Sequence, residues 1–576
     1  MRVKLLLAGL VSTAVLLAAL LLAAPAPPLT AANGAAVYLP IVSRPVEVDL
    51  ALTGLEVTQS IQTPANGVPL VAGRTTLARV YVTAVAGNVT TPFRVSLSAA
   101  RGGANLGALY TTPRVLSGPS TRGALNSTFN FTLPTAWTTG DVTLTAMVDP
   151  DNAVAEMSKS NNQTTRVLPF NEVPPLRITI VPVDYTHTPT GQFYRGQAAD
   201  PISEWMRRAF PVPDVLISYH TPHFFSGDLR YGSEWERLLR EITERYWLPE
   251  QGYGSPQIYY ALVPIRNAGG RWFSSGIAGI GWIGTRVSVG LDLGATVDTA
   301  TLAAHEVGHN LGRRHAPCGN PAGVDRNYPY PDGSIGHYGV DVIDMRLYAP
   351  QTTWDLMSYC DPQWVSDYTY RGLYEDQRVH GRLLATARGD GLLVRAAFGP
   401  DGAPHLLPVY PLAQLPLGPP PAPGDFRLEL LDAAGNVIAA HPARVLEAEE
   451  PGVRARALAV SAPLPETAPV ALRLVDAQGQ IVAEQALEGP ARTQATAVAL
   501  SRRPDGLITL AWDAPQTPAL VRYSADGGAT WTTLGMDVLG GSFSVEAARL
   551  GGKNGRFELT LANTNRPTRL IVALEE

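Results

Sequence analysis

The run His305-Glu306-Val307-Gly308-His309-Asn310-Leu311-Gly312-Arg313-Arg314-His315 constrains this chain more than any other segment. Two histidines four positions apart share one face of a helix, so both imidazoles can reach a single ion. The apolar lead Leu302-Ala303-Ala304 suits the helix that this requires. Gly312 has no Cβ and can adopt positive φ, ending the helix and swinging the chain so that His315 returns to the same ion. Three neutral imidazoles leave one tetrahedral position open, which is the arrangement of a catalytic zinc site. Glu306, beside the first ligand, is then placed to act as general base towards an attacking water.

At 576 residues the chain is too long for one hydrophobic core, and roughly four domains are expected. Its formal charge of −5 lacks the basic excess of a nucleic-acid binder, so no such partner is expected. Charged residues make up only 16%, whereas glycine (54) and proline (49) are abundant, which favours strands and turns. Arg2 and Lys4, the apolar run Leu5 to Ala24 and the small residues through Ala32 have the layout of an export signal over 1–32. A secreted, extracellular protein is expected. The alternative is an uncleaved N-terminal membrane anchor with the rest facing outside, because the run is long enough to span a bilayer.

A linker over 33–45 leads into 46–170, where runs such as Ala78 to Val82 and Val142 to Ala146 alternate as half-buried strands of a β-sandwich. The segment Val148-Asp149-Pro150-Asp151-Asn152, with Glu156 and Asn161-Asn162, resembles the end of the CARDB-type adhesion-related module. The resemblance implies an Ig-like sandwich for spacing or adhesion, although these residues would serve equally as turn formers. Over 171–390 the texture changes to an α/β (α+β) unit, with buried strands at Ile178 to Val183 and Ile258 to Pro264. Helices are expected over Ser233 to Trp247, with Ser233 and Glu236 as a capping box, and over Tyr370 to Leu384. A β-rich module with a Pro-rich linker, Leu415 to Pro423, fills 391–495. The last part, 496–576, resembles a fibronectin type III-like sandwich in Ile508 to Trp512, Val521 to Ser524 and Asp526 to Trp531. The flanking modules are expected to be supports or weak binding surfaces, and no residue in them demands chemistry.

The zinc segment resembles that of the metzincin peptidases, and His-Glu-Val-Gly-His-Asn-Leu-Gly is similar to the adamalysins, from which it departs at Ala316 where they carry aspartate. Asp355-Leu356-Met357-Ser358-Tyr359 is similar to the methionine turn of serralysins, astacins and pappalysins. The resemblance implies a metzincin-type catalytic domain flanked by β-sandwiches, with His305, His309 and His315 holding one zinc ion. Glu306 would be the base, Met357 the support beneath the ion, and Tyr359 a second catalytic donor to the reacting oxygen. It further implies a zinc metalloendopeptidase acting on extracellular proteins or glycoproteins.

Cys318 and Cys360, the only cysteines, flank pieces that this resemblance brings together, so a disulfide is expected in an exported chain. Between them lie Tyr328, Tyr330, Asp332, His337, Tyr338 and Asp341 in a long loop. These residues could frame the cleft or hold calcium, but their spacing matches no calcium loop and turn-making is the plainer reading. Pro362 to Tyr368 would form a wall of the pocket, and Gly276 to Leu291, with Trp282, the edge strand on which an extended peptide pairs. Two other functions fit parts of the chain: an adhesive or glycan-binding surface protein on a metzincin scaffold, and a zinc-dependent amidase with a non-protein substrate. Glu306 argues against the first, since a pure binding protein has no use for a base beside a metal.

Overall fold

Apolar and polar residues alternate from Asp49 onwards, and the strands they form close into two facing sheets. A computed structural model describes residues 48–576 except 198–201, 275, 295–296, 383–386, 419–423, 490–497, 552–554, 568–569 and 575–576. The expected export signal, its linker and part of the Pro-rich linker therefore lie outside the described residues. In the first sandwich a three-stranded sheet, containing Asp49–Thr58 and Leu77–Ala86, faces a five-stranded one containing Val95–Arg101, Gly140–Val148 and Gln163–Asn171. Leu50, Val80, Val82, Leu97, Leu144 and Ala146 fill the space between them. Asp149 makes the turn that its position suggested: its carboxylate accepts from the amides of Ala153 and Val154 and from Lys159.

A seven-stranded mixed sheet follows. Strand β1 (Leu176–His187) runs parallel to β2 (Gln257–Pro264), which runs parallel to β4 (Val287–Asp292); the short β3 (Gly279–Gly281) is antiparallel to β4 and forms that edge. The central strands read as near-continuous apolar runs because both faces are covered. One face carries α1 (Gly232–Ile242), with Trp235, Leu238 and Ile242 buried, and the other carries α2 (Val297–Asn310).

The helix expected from Ser233 begins one residue earlier, and its N-cap, Tyr231, makes no side-chain capping bond. Gly232 lies where a Cβ would collide with Val453, so the chain enters the helix pressed against another module and Ser233 falls inside the first turn. The capping box is therefore not formed. The α-helix passes into a π turn over Thr243–Trp247. The later helix, α3, spans Asp367–His380, three residues ahead of its expected start, because Ser366 Oγ accepts from the Thr369 amide at 3.0 Å and fixes the N-cap there.

Two further pairs of sheets complete a multidomain, mostly β structure. The first pairs a five-stranded with a four-stranded sheet between Arg388 and Ala486; the second pairs three with four strands between Val498 and Ala573. Within the former, β5 (Val445–Glu450) and β6 (Val453–Pro463) form an antiparallel hairpin. Its residues Leu446, Ala448, Ala455 and Ala457 share one core with Trp235, Leu239 and Trp282. The described residues from Val48 onwards pack as one compact unit.

Arg395 ties three parts of this unit together. It is buried, pairs with Glu244 at 2.9 Å and with Asp537 at 2.7 Å, and donates to the Pro408 carbonyl. Burial disfavours a charged guanidinium, yet the two carboxylates hold its pKa above the ordinary arginine value. Arg395→Met should therefore leave buried Glu244 with only its longer pair to Arg240 at 3.7 Å, at a cost of about 3 kcal/mol. Urea unfolding checks this, and a loss under about 1 kcal/mol, typical of a surface pair, would contradict it.

Candidate metal centre

Helix α2 puts His305 and His309 on one face, with ring centroids 4.9 Å apart. The helix ends as the sequence requires. Gly312 adopts φ +78°, its amide donates to the His309 carbonyl at 2.8 Å, and the Arg313 amide donates to the Gly308 carbonyl at 2.9 Å. These paired bonds form a Schellman motif, which needs a left-handed residue at Gly312. The chain then turns back and sets the His315 ring 4.6 Å from His309 and 5.2 Å from His305, centroid to centroid.

Each imidazole is oriented by its far nitrogen. Nδ1–H of His305 donates to the Leu356 carbonyl at 2.7 Å, that of His309 to Arg313 at 2.8 Å, and that of His315 to Ala322 at 2.5 Å. With the proton held on Nδ1, each Nε2 presents a lone pair to the centre. Nε2 of His309 and Nε2 of His315 lie 3.1 Å apart, so two lone pairs face each other, and Nε2 of His305 is buried without a hydrogen-bond partner. Neither arrangement satisfies a neutral polar core, whereas a cation between them satisfies both. Burial pushes the His305 pKa down to about 4 and that of His309 well below its ordinary value, so both rings favour the neutral form that a cation needs.

Met357 is buried beneath this group, and a Cβ on Gly308 would collide with its sulfur, so glycine there lets the turn approach the helix. The Ala316 amide donates to the Met357 carbonyl at 2.9 Å, and Ala316 is wholly buried. Cys318 and Cys360 form a disulfide, with the Tyr359 amide bonded to the Cys318 carbonyl at 2.9 Å. Tyr359 OH lies 3.3 Å from His315 Nε2.

Glu306 points into the same space, and its buried Oε2 has no hydrogen-bond partner. Burial, and after it the nearby Glu450 carboxylate, push its pKa well above the ordinary value. Glu450 is the residue that sequence reasoning missed. It ends strand β5, in a module expected to hold no chemistry, yet His305, His309, His315 and Glu450 form one buried group whose ligand atoms lie within 4.8 Å of one another. Glu450 Oε1 is 3.7 Å from His309 Nε2 and 3.6 Å from His315 Nε2, while Tyr359 OH donates to its other oxygen. The group could hold a metal ion. The only trace in the sequence is the acidic pair Glu449-Glu450 before a Pro-Gly turn, which reads as an ordinary exposed hairpin end.

A cleft of about 780 Å³ opens in front of these residues, lined among others by Tyr231, Ile277, Leu302, Asp361 and Gln363. Of the expected wall, Gln363 faces the cleft, but Trp364 is core: it stacks on Tyr348 at 4.3 Å and donates to the Ser60 carbonyl. Trp282 is likewise core, bonded through Nε1 to Thr243 at 2.8 Å, because its position on the edge segment faces inward. The loop carboxylates make structure: Asp332 accepts from the Ser334 amide, and Asp341 pairs with Arg208 at 2.9 Å. Tyr328 and Tyr330 pack edge to face in the same loop.

The sequence profile of the CARDB family matches residues 110–166, which identifies a CARDB domain there. No curated protein matches the chain. Among solved structures, the CARDB domain of a Pyrococcus furiosus protein in complex with di-metal ions is 17% identical, covering 22% of this chain and 90% of its own, with a TM-score of 0.16. A solution structure of that domain is 19% identical over 22% of this chain and 95% of its own, with a TM-score of 0.15. The FN1–FN3 domains of chicken CNTN1 are 7% identical over 33% of this chain and 63% of their own, with a TM-score of 0.13.

Equilibrium dialysis of the metal-stripped protein against zinc, a common probe for imidazole sites, should give about one ion per chain. His309→Ala should abolish this uptake. Full uptake by that variant would show that the ion sits elsewhere.

Proposed function

We propose that this protein is a secreted zinc-dependent endopeptidase of the metzincin kind, hydrolysing peptide bonds of extracellular proteins or glycoproteins. The observation that carries the reading is the convergence of three Nε2 lone pairs beside a buried glutamate with an unpartnered oxygen. Imidazole donors in that number suit zinc, and a purely structural site has no use for such a glutamate.

His305, His309 and His315 would hold the ion. When bound, it would supply a Lewis acid for the scissile carbonyl and lower the pKa of water in the site. Glu306, whose pKa burial and Glu450 raise in the metal-free site, would accept the water proton on its free oxygen and deliver it to the departing amine. A bound cation would draw that pKa back down, leaving the carboxylate ionised in the resting site.

Tyr359 stays protonated, since burial and the Glu450 carboxylate both raise its pKa, so its hydroxyl is a donor for the oxyanion. Edge strand β3 offers backbone groups to an extended peptide. Met357, packed under α2 through Gly308, would keep the histidines in register. The final two-sheet unit would be a fibronectin type III-like support, and the CARDB domain a spacer or adhesive module.

Peptide-library digestion tests the reading. Because Glu450 lies beside the histidines, the zinc-loaded parent chain and Glu450→Ala are both assayed. Cleavage in at least one of them, removed by chelation and cut by about a thousandfold or more when Glu306→Gln is added, is expected. Glu306→Gln should keep its zinc. Cleavage that survives both treatments, or none in either chain, would overturn the peptidase reading.

A further inference from the structure

We propose that the β5–β6 hairpin is a built-in plug: its tip occupies the cleft where an extended substrate would lie, with Glu450 as a displaceable fourth ligand, so that the folded chain is latent. The inference rests on the metallopeptidase reading above and concerns its regulation.

Side chain and backbone both engage the site. One Glu450 oxygen faces the histidine nitrogens and the other accepts from Tyr359, which is how a carboxylate product of peptide hydrolysis would sit. The Ile283 amide, two residues past β3, donates to the Glu447 carbonyl at 2.8 Å, so the hairpin is bonded to the chain beside the sheet edge that a substrate would need. Pro451, Gly452 and Val453 line the same cleft as His305 and Glu306.

The walls are shaped to receive the hairpin. A Cβ on Gly232 would strike Val453, and a Cβ on Gly323 would strike Glu449, so glycine stands on either side where the hairpin presses closest. A permanent structural ligand would need only the carboxylate, not a matched turn across the cleft. It would also leave Glu306 without work.

The hairpin is buried at its base and exposed at its turn. Leu446, Ala448, Ala455 and Ala457 are buried in the shared core, whereas Pro451 and Gly452 are exposed. Glu449 meets Arg314 at 3.7 Å and the largely exposed Arg454 at 3.2 Å, pairs that water screens and that contribute little. On this reading, release of the tip leaves those core contacts in place.

The test uses the full chain as parent, Glu450→Gln, which keeps the shape, and Glu450→Ala. Each is loaded with zinc for peptide hydrolysis and with cobalt(II) for visible absorption and acetohydroxamate titration. If a closed tip limits access, freeing it raises apparent affinity and kcat/KM by the inverse of the open fraction, here by about tenfold or more. Both variants should bind one metal, show an altered cobalt spectrum, bind acetohydroxamate more tightly and cleave peptides faster than the parent. Equal hydroxamate affinity and equal cleavage would overturn the plug and leave the peptidase reading standing. Loss of metal from both variants would make Glu450 a structural ligand and also overturn the plug. Tighter hydroxamate binding without cleavage in any chain would support the plug and overturn the peptidase reading.

Discussion

The arrangement depends on three hydrogen bonds from histidine Nδ1 to backbone carbonyls. Each contributes only about 1 kcal/mol to stability, but together they decide which nitrogens face inward. The carbonyls come from three places: Leu356 in the turn below, Arg313 just past the helix end, and Ala322 in the loop beyond. They meet only if α2 stops at Gly312 and Met357 packs under Gly308. The inward lone pairs are unfavourable as they stand, and that tension is the physical argument for a cation.

A second constraint is the shared core that fuses the seven-stranded sheet with the hairpin module. Trp235 and Leu239 of α1 pack with Leu446 and Ala457 of the hairpin, and Arg395 bridges Glu244 to Asp537. Such packing fixes a strand end from a distant module to within a few ångströms of the histidines. On the proposed reading, the module covers the cleft instead of merely standing beside it.

Much of this was legible in the sequence, where one local rule dominated. The spacing of His305 and His309, and the need for a left-handed residue at Gly312, follow from helix geometry alone. The alternating strands of the first sandwich were readable for the same reason. What was not legible came from tertiary contact. Ser233 and Glu236 fit a capping box by spacing, but the helix starts at Gly232, where the chain passes close against Val453. Trp364 and Trp282 looked like cleft residues because aromatics near a site are ambiguous until the direction of each side chain is known. Glu450 carried no local signal at all, since a glutamate before a Pro-Gly turn is ordinary until the fold places it among histidines.

The most direct measurement of the central claim is X-ray absorption at the zinc edge on the zinc-loaded full chain. Three imidazole nitrogens and one carboxylate oxygen, all at about 2.0 Å, are expected. Substituting Glu450→Gln should alter the oxygen contribution and leave the imidazole scattering unchanged. A sulfur shell near about 2.3 Å, or no more than a single imidazole, would contradict the account.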